Sequence, residues 1–185
     1  IAAQDQPNHC ADEEQNQEVI SSKLIVTAHV IDGEDDGQRT DIWAELGDSC
    51  QTIGIYEEAV SAYEKCVDID PENSTFPTKL GLCHYALGNY DKAYTAFKKA
   101  TELAPDNFET LYQLALTCHA QENFTEAIEH YLVITSKKDD HQEAWFNIAL
   151  AYHALQDYTK AIEVYLNCVK KWPDNGPAWF NLGLA

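Results

Sequence analysis

Arginine is almost absent from this sequence. Arg39 is the only one, and lysine and arginine together number 12 against 31 aspartates and glutamates, for a net charge of −19 at pH 7. Binding a nucleic-acid backbone needs clustered basic side chains, so the composition argues against a nucleic-acid partner. Long apolar runs are missing too. None approaches the ~20 residues needed to span a bilayer, and no membrane association is expected. The first residues lack the basic and apolar pattern of a signal peptide. The chain begins with Ile1 rather than methionine, which leads to the expectation that its natural start lies upstream and leaves a cleaved leader open. None of the six cysteines forms a CxxC pair, so no zinc site is expected. Gly-rich phosphate loops, nucleophile motifs and metal quartets are all lacking. The chain is therefore read as non-enzymatic, with no cofactor and no metal.

Apolar residues make up 45% of the 185 residues, enough for a substantial core in one or two domains. Their arrangement repeats. A self-alignment at a shift of 34 residues gives four complete units, 40–73, 74–107, 108–141 and 142–175, and a fifth that starts at 176 and breaks off. The phrases "AYEKCVDIDPEN", "AFKKATELAPDN" and "VYLNCVKKWPDN" occupy one slot in different units, as do "YEEAVSAY", "YDKAYTAF", "FTEAIEHY" and "YTKAIEVY". Within a unit, Ala59, Tyr63 and Cys66 recur at the 3–4 spacing of a helix face. "IGI", "LGN", "QEN" and "LQD" give short turns between helices. "DPEN", "APDN" and "WPDN" end each second helix with a proline that cannot continue it. Asn73, Asn107 and Asn175 are placed to cap the next helix, and Lys98, Lys99, Lys170 and Lys171 to oppose the dipole near second-helix ends. Two departures are visible. Pro77 falls in a first helix, in the first turn where its missing N–H costs little. The third unit has Asp139 where the others have proline, which predicts a second helix that runs on or ends loosely.

The pattern of a large residue, Leu, Gly and Tyr, then Ala, an aromatic, Ala and Pro, resembles the tetratricopeptide repeat. The matching residues are Trp43, Leu46, Gly47, Cys50, Ala59, Tyr63, Cys66 and Pro71 in the first unit. In the fourth they are Trp145, Ile148, Ala149, Tyr152, Ala161, Tyr165, Cys168 and Pro173. The resemblance covers about four-fifths of the chain. It implies an all-α, right-handed superhelical solenoid of antiparallel helix pairs. Small residues at the Gly47, Gly81 and Ala115 slot then let two helices approach closely, and Cys50, Cys66, Cys118 and Cys168 become packing thiols. Free buried thiols suit a reducing compartment, so a cytoplasmic or nuclear location is expected. A solenoid broken off at half a hairpin leads to the expectation of further repeats or a docked partner after residue 185.

Residues 1–39 do not follow the repeat. They read as an acidic segment with one helix over about 16–31, where Ile20, Leu24, Ala28 and Ile31 keep helical spacing. Two roles are open for it: a cap on the first hairpin, or an acidic arm that binds a partner or folds back into the groove.

The resemblance also implies that first helices line a concave groove that holds an extended or helical peptide. Reading their slots gives Lys79, Gln113, Asn147 and Asn181 in one ladder and Tyr112, Phe146 and Phe180 in a second. Leu116 and Leu150 lie in a third, and Tyr85, His119 and His153 in a fourth. An amide both donates and accepts, so an amide ladder can grip a peptide main chain. It is similar to the asparagine ladder of the O-linked N-acetylglucosamine transferase, but departs from it at Gln113, Lys79 and Glu45. The clamp that holds heat-shock C-termini requires Lys and Asn, then Asn, then Lys and Arg. The corresponding positions hold Tyr112, Leu116, Asn147, Pro177 and Asn181, so that mode is not expected. His119 and His153, one repeat apart, are too distant to share a metal. The expected function is a protein–protein interaction scaffold, as a fragment or subunit of a larger assembly. The alternatives are the substrate-recognition array of a larger enzyme, such as a glycosyltransferase-like protein, and a secretion-type chaperone.

Overall fold

A computed structural model describes residues 36–185, and the helix expected over about 16–31 lies outside them. Among the described residues there are nine α-helices and no strand. They run α1 (Asp36–Thr52), α2 (Tyr56–Ile69), α3 (Thr75–Ala86), α4 (Tyr90–Leu103), α5 (Phe108–Ala120), α6 (Phe124–Lys137), α7 (Gln142–Ala154), α8 (Tyr158–Lys171) and α9 (Gly176–Leu184). None is long and apolar enough to cross a membrane. The helices belong to two compact units, divided between Asp70 and Pro71.

In the first unit α1 and α2 form a hairpin around Cys50, Ala59, Ala62, Tyr63 and Cys66, all buried. The Tyr63 hydroxyl donates to Asp48 Oδ1 at 2.6 Å and contacts Gln51 Oε1 at 3.0 Å. The Cys66 thiol reaches the Thr40 carbonyl at 3.7 Å.

In the second unit the hairpins α3–α4, α5–α6 and α7–α8 are followed by the lone helix α9. One core joins Ala93 and Phe97 to Leu114, Ala115, Tyr131, Ile134 and Ile148. A second gathers Ala149, Ala161, Tyr165, Cys168 and Ala178. Phe97, Tyr131 and Tyr165 are wholly buried, each contributing about 2–3 kcal/mol by burial.

Both kinds of helix end follow from local chemistry. Asn107 Oδ1 accepts from Thr110 N–H, and Asn175 Oδ1 from Ala178 N–H. Asn73 instead accepts from Thr75 N–H, with Ser74 in the capping position. His141 Nδ1 serves α7, an unexpected cap, by accepting from Ala144 N–H at 3.3 Å. Lys170 and Lys171 fall in the last turn of α8, whereas Lys98 and Lys99 lie before the last turn of α4.

The expectation for Asp139 is overturned: α6 ends as cleanly as the helices that precede a proline. Lys138 leaves helical space at φ −128° and ψ 80°, the values of Trp172 after α8. The Asp139 carbonyl accepts from Trp145 Nε1 and from Lys171 Nζ, each at 3.0 Å. The Asp139 carboxylate pairs with Lys171 at 2.5 Å. Two donors thus fix a bend that proline would otherwise enforce.

Candidate functional site

The residues expected to line the groove all lie in the second unit, on α3, α5, α7 and α9. Helical geometry places each ladder at one register of successive first helices. Lys79, Tyr85, Tyr112, Gln113, Leu116, His119, Phe146, Asn147, Leu150, His153 and Asn181 are half-buried, and Phe180 is 67% exposed. Several are engaged with each other. Asn147 Nδ2 donates to the Tyr112 hydroxyl at 3.0 Å, tying α7 to α5. The Tyr112 ring lies 5.0 Å from His141 and 5.7 Å from Tyr131. Phe146 rests 6.0 Å from Tyr165 and packs on the second core. It thus supports the hairpin beneath it, while Phe180 is the freer aromatic.

One ladder has a structural duty that spacing alone did not reveal. Tyr85, His119 and His153 each stand edge-on to the first residue of the next helix: Tyr90 at 5.3 Å, Phe124 at 5.0 Å and Tyr158 at 5.3 Å. The signal was present in sequence as an aromatic five residues on. Burial lowers the pKa of His119. A neutral imidazole offers one donor and one acceptor. The Nδ1 atoms of His119 and His153 are both buried without a hydrogen-bond partner in the protein. Tyr112 is pushed up by burial and by the nearby Glu143, with a smaller contribution from Glu109. The aromatic and amide cluster therefore sits in a negative field.

Four of the expected residues, His119, Leu150, His153 and Asn181, line an open hollow of about 540 Å³ together with Glu122, Phe124 and Leu184. It brings together three of the four ladders. An apolar wall with a few polar groups can hold a side chain of a peptide while the amides address its backbone.

Sequence spacing missed one further grouping. Cys118 Sγ, a Glu126 carboxylate oxygen and a His130 ring nitrogen all lie within 4.8 Å of one another. Their separations of eight and four residues match no ligand motif, because a helix turn intervenes between the first and the other two. Burial, then Glu126, pushes the Cys118 thiol up to about 12. A hydrogen bond to Glu126 does the same to the Tyr94 hydroxyl, which donates at 2.6 Å.

Comparison with known proteins agrees with this architecture. Residues 54–134 match the family model of anaphase-promoting complex, cyclosome, subunit 3, and residues 142–185 match a tetratricopeptide-repeat model. A search of curated proteins returns no match. Among solved structures, MamA (residue 41 to its end) from Desulfovibrio magneticus RS-1 superposes with a TM-score of 0.75 at 20% identity, over 81% of this chain and 85% of that one. YrrB, described as a TPR protein with an unusual peptide-binding site, gives 0.75 at 19% identity, over 92% and 87%. The first TPR of Spaghetti (RPAP3), bound to the HSP90 peptide SRMEEVD, gives 0.61 at 23% identity, over 64% and 94%. At these identities the likeness to solved structures shows the fold.

Proposed function

Because the chain is a tetratricopeptide-repeat protein, we propose that it is an interaction scaffold whose first helices in residues 71–185 receive a peptide or helix of a partner protein. The observation that carries this reading is the convergence of His119, Leu150, His153 and Asn181 on one open hollow. Asn147 belongs to the same ladder as Asn181, while Tyr112, Phe146 and Phe180 form the neighbouring ladder on the same helices. Two fold relatives support it, one bound to a peptide and one described as having a peptide-binding site. The match over 54–134 supports a role as a repeat subunit of a larger assembly. The reading is a binding one rather than an enzymatic one.

The partner differs from the heat-shock peptide held by RPAP3. A C-terminal carboxylate needs charge-assisted donors, and Tyr112, Leu116, Pro177 and Asn181 stand where the clamp's charged or amide donors would be. Glu109, Glu143 and the net charge of −19 favour apolar or basic segments instead. The buried thiols of Cys50, Cys66, Cys83, Cys118 and Cys168 suit a reducing compartment, the cytoplasm or nucleus.

The test is selection from a displayed peptide library at two salt concentrations, followed by titration of the selected peptide against variants. Phe180→Ala removes an exposed ring and costs about 2 kcal/mol of binding with Tm unchanged. Phe146→Ala weakens binding and lowers Tm together, because its ring also supports Tyr165. Binding indifferent to Phe180→Ala, Leu150→Ala and Asn181→Ala, or selection of acidic peptides at low salt, overturns the reading.

A further inference from the structure

The slots that hold Cys118, Glu126 and His130 can be followed through the other hairpins. They contain Cys50, Glu58 and Ala62 in the first, His84, Lys92 and Ala96 in the second, and Tyr152, Lys160 and Val164 in the fourth. The third position is otherwise an alanine or a valine, with Ala62 and Ala96 buried. Only in the third hairpin do a thiol, a carboxylate and an imidazole coincide. His130 Nε2 is buried, without a hydrogen-bond partner, and points at Glu126 Oε1 from 3.7 Å.

That spacing is too long for a hydrogen bond but suits two ligands of one ion. Metal–ligand distances of 2.0–2.3 Å at tetrahedral angles separate neighbouring ligand atoms by about 3.5 Å. All three atoms lie within 4.8 Å of one another, so rotamer adjustment of about 1 Å closes the set. The carboxylate is already held from outside. Tyr94 donates to Oε1 at 2.6 Å and Asn123 Nδ2 to Oε2 at 2.5 Å. Such outer partners orient a ligating carboxylate and leave a lone pair for the metal.

We propose that Cys118, Glu126 and His130 form a binding site for a borderline-soft divalent metal, Zn(II) by its mixed sulfur, nitrogen and oxygen ligands. The three side chains fill three tetrahedral positions, and water takes the fourth. Binding releases the thiol proton of Cys118. Because the ligands come from α5 and α6, and Tyr94 of α4 holds the carboxylate, an ion here braces the third hairpin and its junction with the second.

The experiment is a titration of the reduced, metal-free full chain with Co(II), followed by displacement with Zn(II). One equivalent is expected to produce the thiolate-to-cobalt charge-transfer band and the visible bands of a tetrahedral site. Zn(II) should abolish both and raise Tm in a concentration-dependent manner. His130→Ala is the decisive variant, since alanine occupies the same slot in the first two hairpins and the fold accepts it. It should fold normally and lose the cobalt spectrum, as should Cys118→Ala. A spectrum unchanged in His130→Ala assigns the metal to other thiols and overturns the proposal. So does cobalt binding without charge transfer, or no binding at all, which leaves only a Glu–His ion pair beside a core thiol.

Discussion

The hairpins α1–α2 and α3–α4 reach the same design as α5–α6 and α7–α8 with different residues at two slots. At the helix crossing the first pair has Gly47 and Gly81, and the second has Ala115 and Ala149. At the turn the first pair has Gly54 and Gly88 in the left-handed region, and the second has Glu122 and Gln156, both at φ 61°. A Cβ on Gly47 would lie 2.5 Å from the Tyr63 ring, and one on Gly81 2.7 Å from the Phe97 ring. Ala115 and Ala149 carry that methyl group and are fully buried, so there the facing ring stands back. The slot thus demands a small residue, while the ring's depth of insertion is set hairpin by hairpin. At the turns, glycine enters the left-handed region freely, whereas Glu122 and Gln156 hold a conformation costing about 1 kcal/mol each.

The sharpest way to break this comparison is to exchange the crossing residues. Gly81→Ala drives a methyl into Phe97 and should cost about 3 kcal/mol by overpacking, read as a fall in urea midpoint. Ala149→Gly meets no clash and should cost about 1 kcal/mol in helix propensity. Equal losses would show that ring insertion does not set the crossing.

The aromatic slot offers a second contrast. Tyr63 hydrogen bonds to Asp48 and Gln51, whereas the Tyr165 hydroxyl is buried without a partner. Tyr63→Phe should cost about 1 kcal/mol, and Tyr165→Phe should be neutral or stabilising, because it removes an unsatisfied group. The same burial makes the later hairpins sensitive to alkali. Burial pushes Tyr165 up to about 12, Cys118 to about 12 and Cys168 to about 11. With folded values raised, their contribution is intact below the ordinary thiol and phenol range. It is lost as pH rises through about 11 to 12. Urea midpoints should fall with alkalinity, and less steeply in the double variant Tyr165→Phe, Cys168→Ala. The smallest effect lies at the turns. Glu122→Gly and Gln156→Gly should each stabilise by about 0.5–1 kcal/mol, while Gly88→Ala should destabilise by a similar amount.

The 34-residue period was enough to locate the hairpins, because it is written in packing residues that every unit must supply. Caps at Asn107 and Asn175 followed from the same alignment. What the alignment could not carry were contacts unique to one unit. Asp139 looks like a missing stop until Trp145 and Lys171 are seen to bond its carbonyl. His141 looks like a loop residue until its imidazole caps α7. The ladders were legible as registers, but not the edge-on contacts of Tyr85, His119 and His153 with the next helix, which hold their rings in place. Cys118, Glu126 and His130 were invisible as a group because their proximity depends on how α5 folds back on α6.

The indole contact at the joint before α7 recurs one period later, where Trp179 Nε1 donates to the Pro173 carbonyl at 2.9 Å. A main-chain carbonyl is present whatever residue carries it, so the same stitch serves an aspartate at 139 and a proline at 173. The second and third hairpins are joined differently, through Tyr94 to Glu126 and Gln121 to Asp91, where both partners are side chains. Substitution at position 139 or 173 thus leaves the indole's acceptor in place, whereas loss of either member of a side-chain pair orphans the other. The two joints consequently differ in mutational robustness. One accepts drift at a single position, and the other holds only if its residues change in pairs.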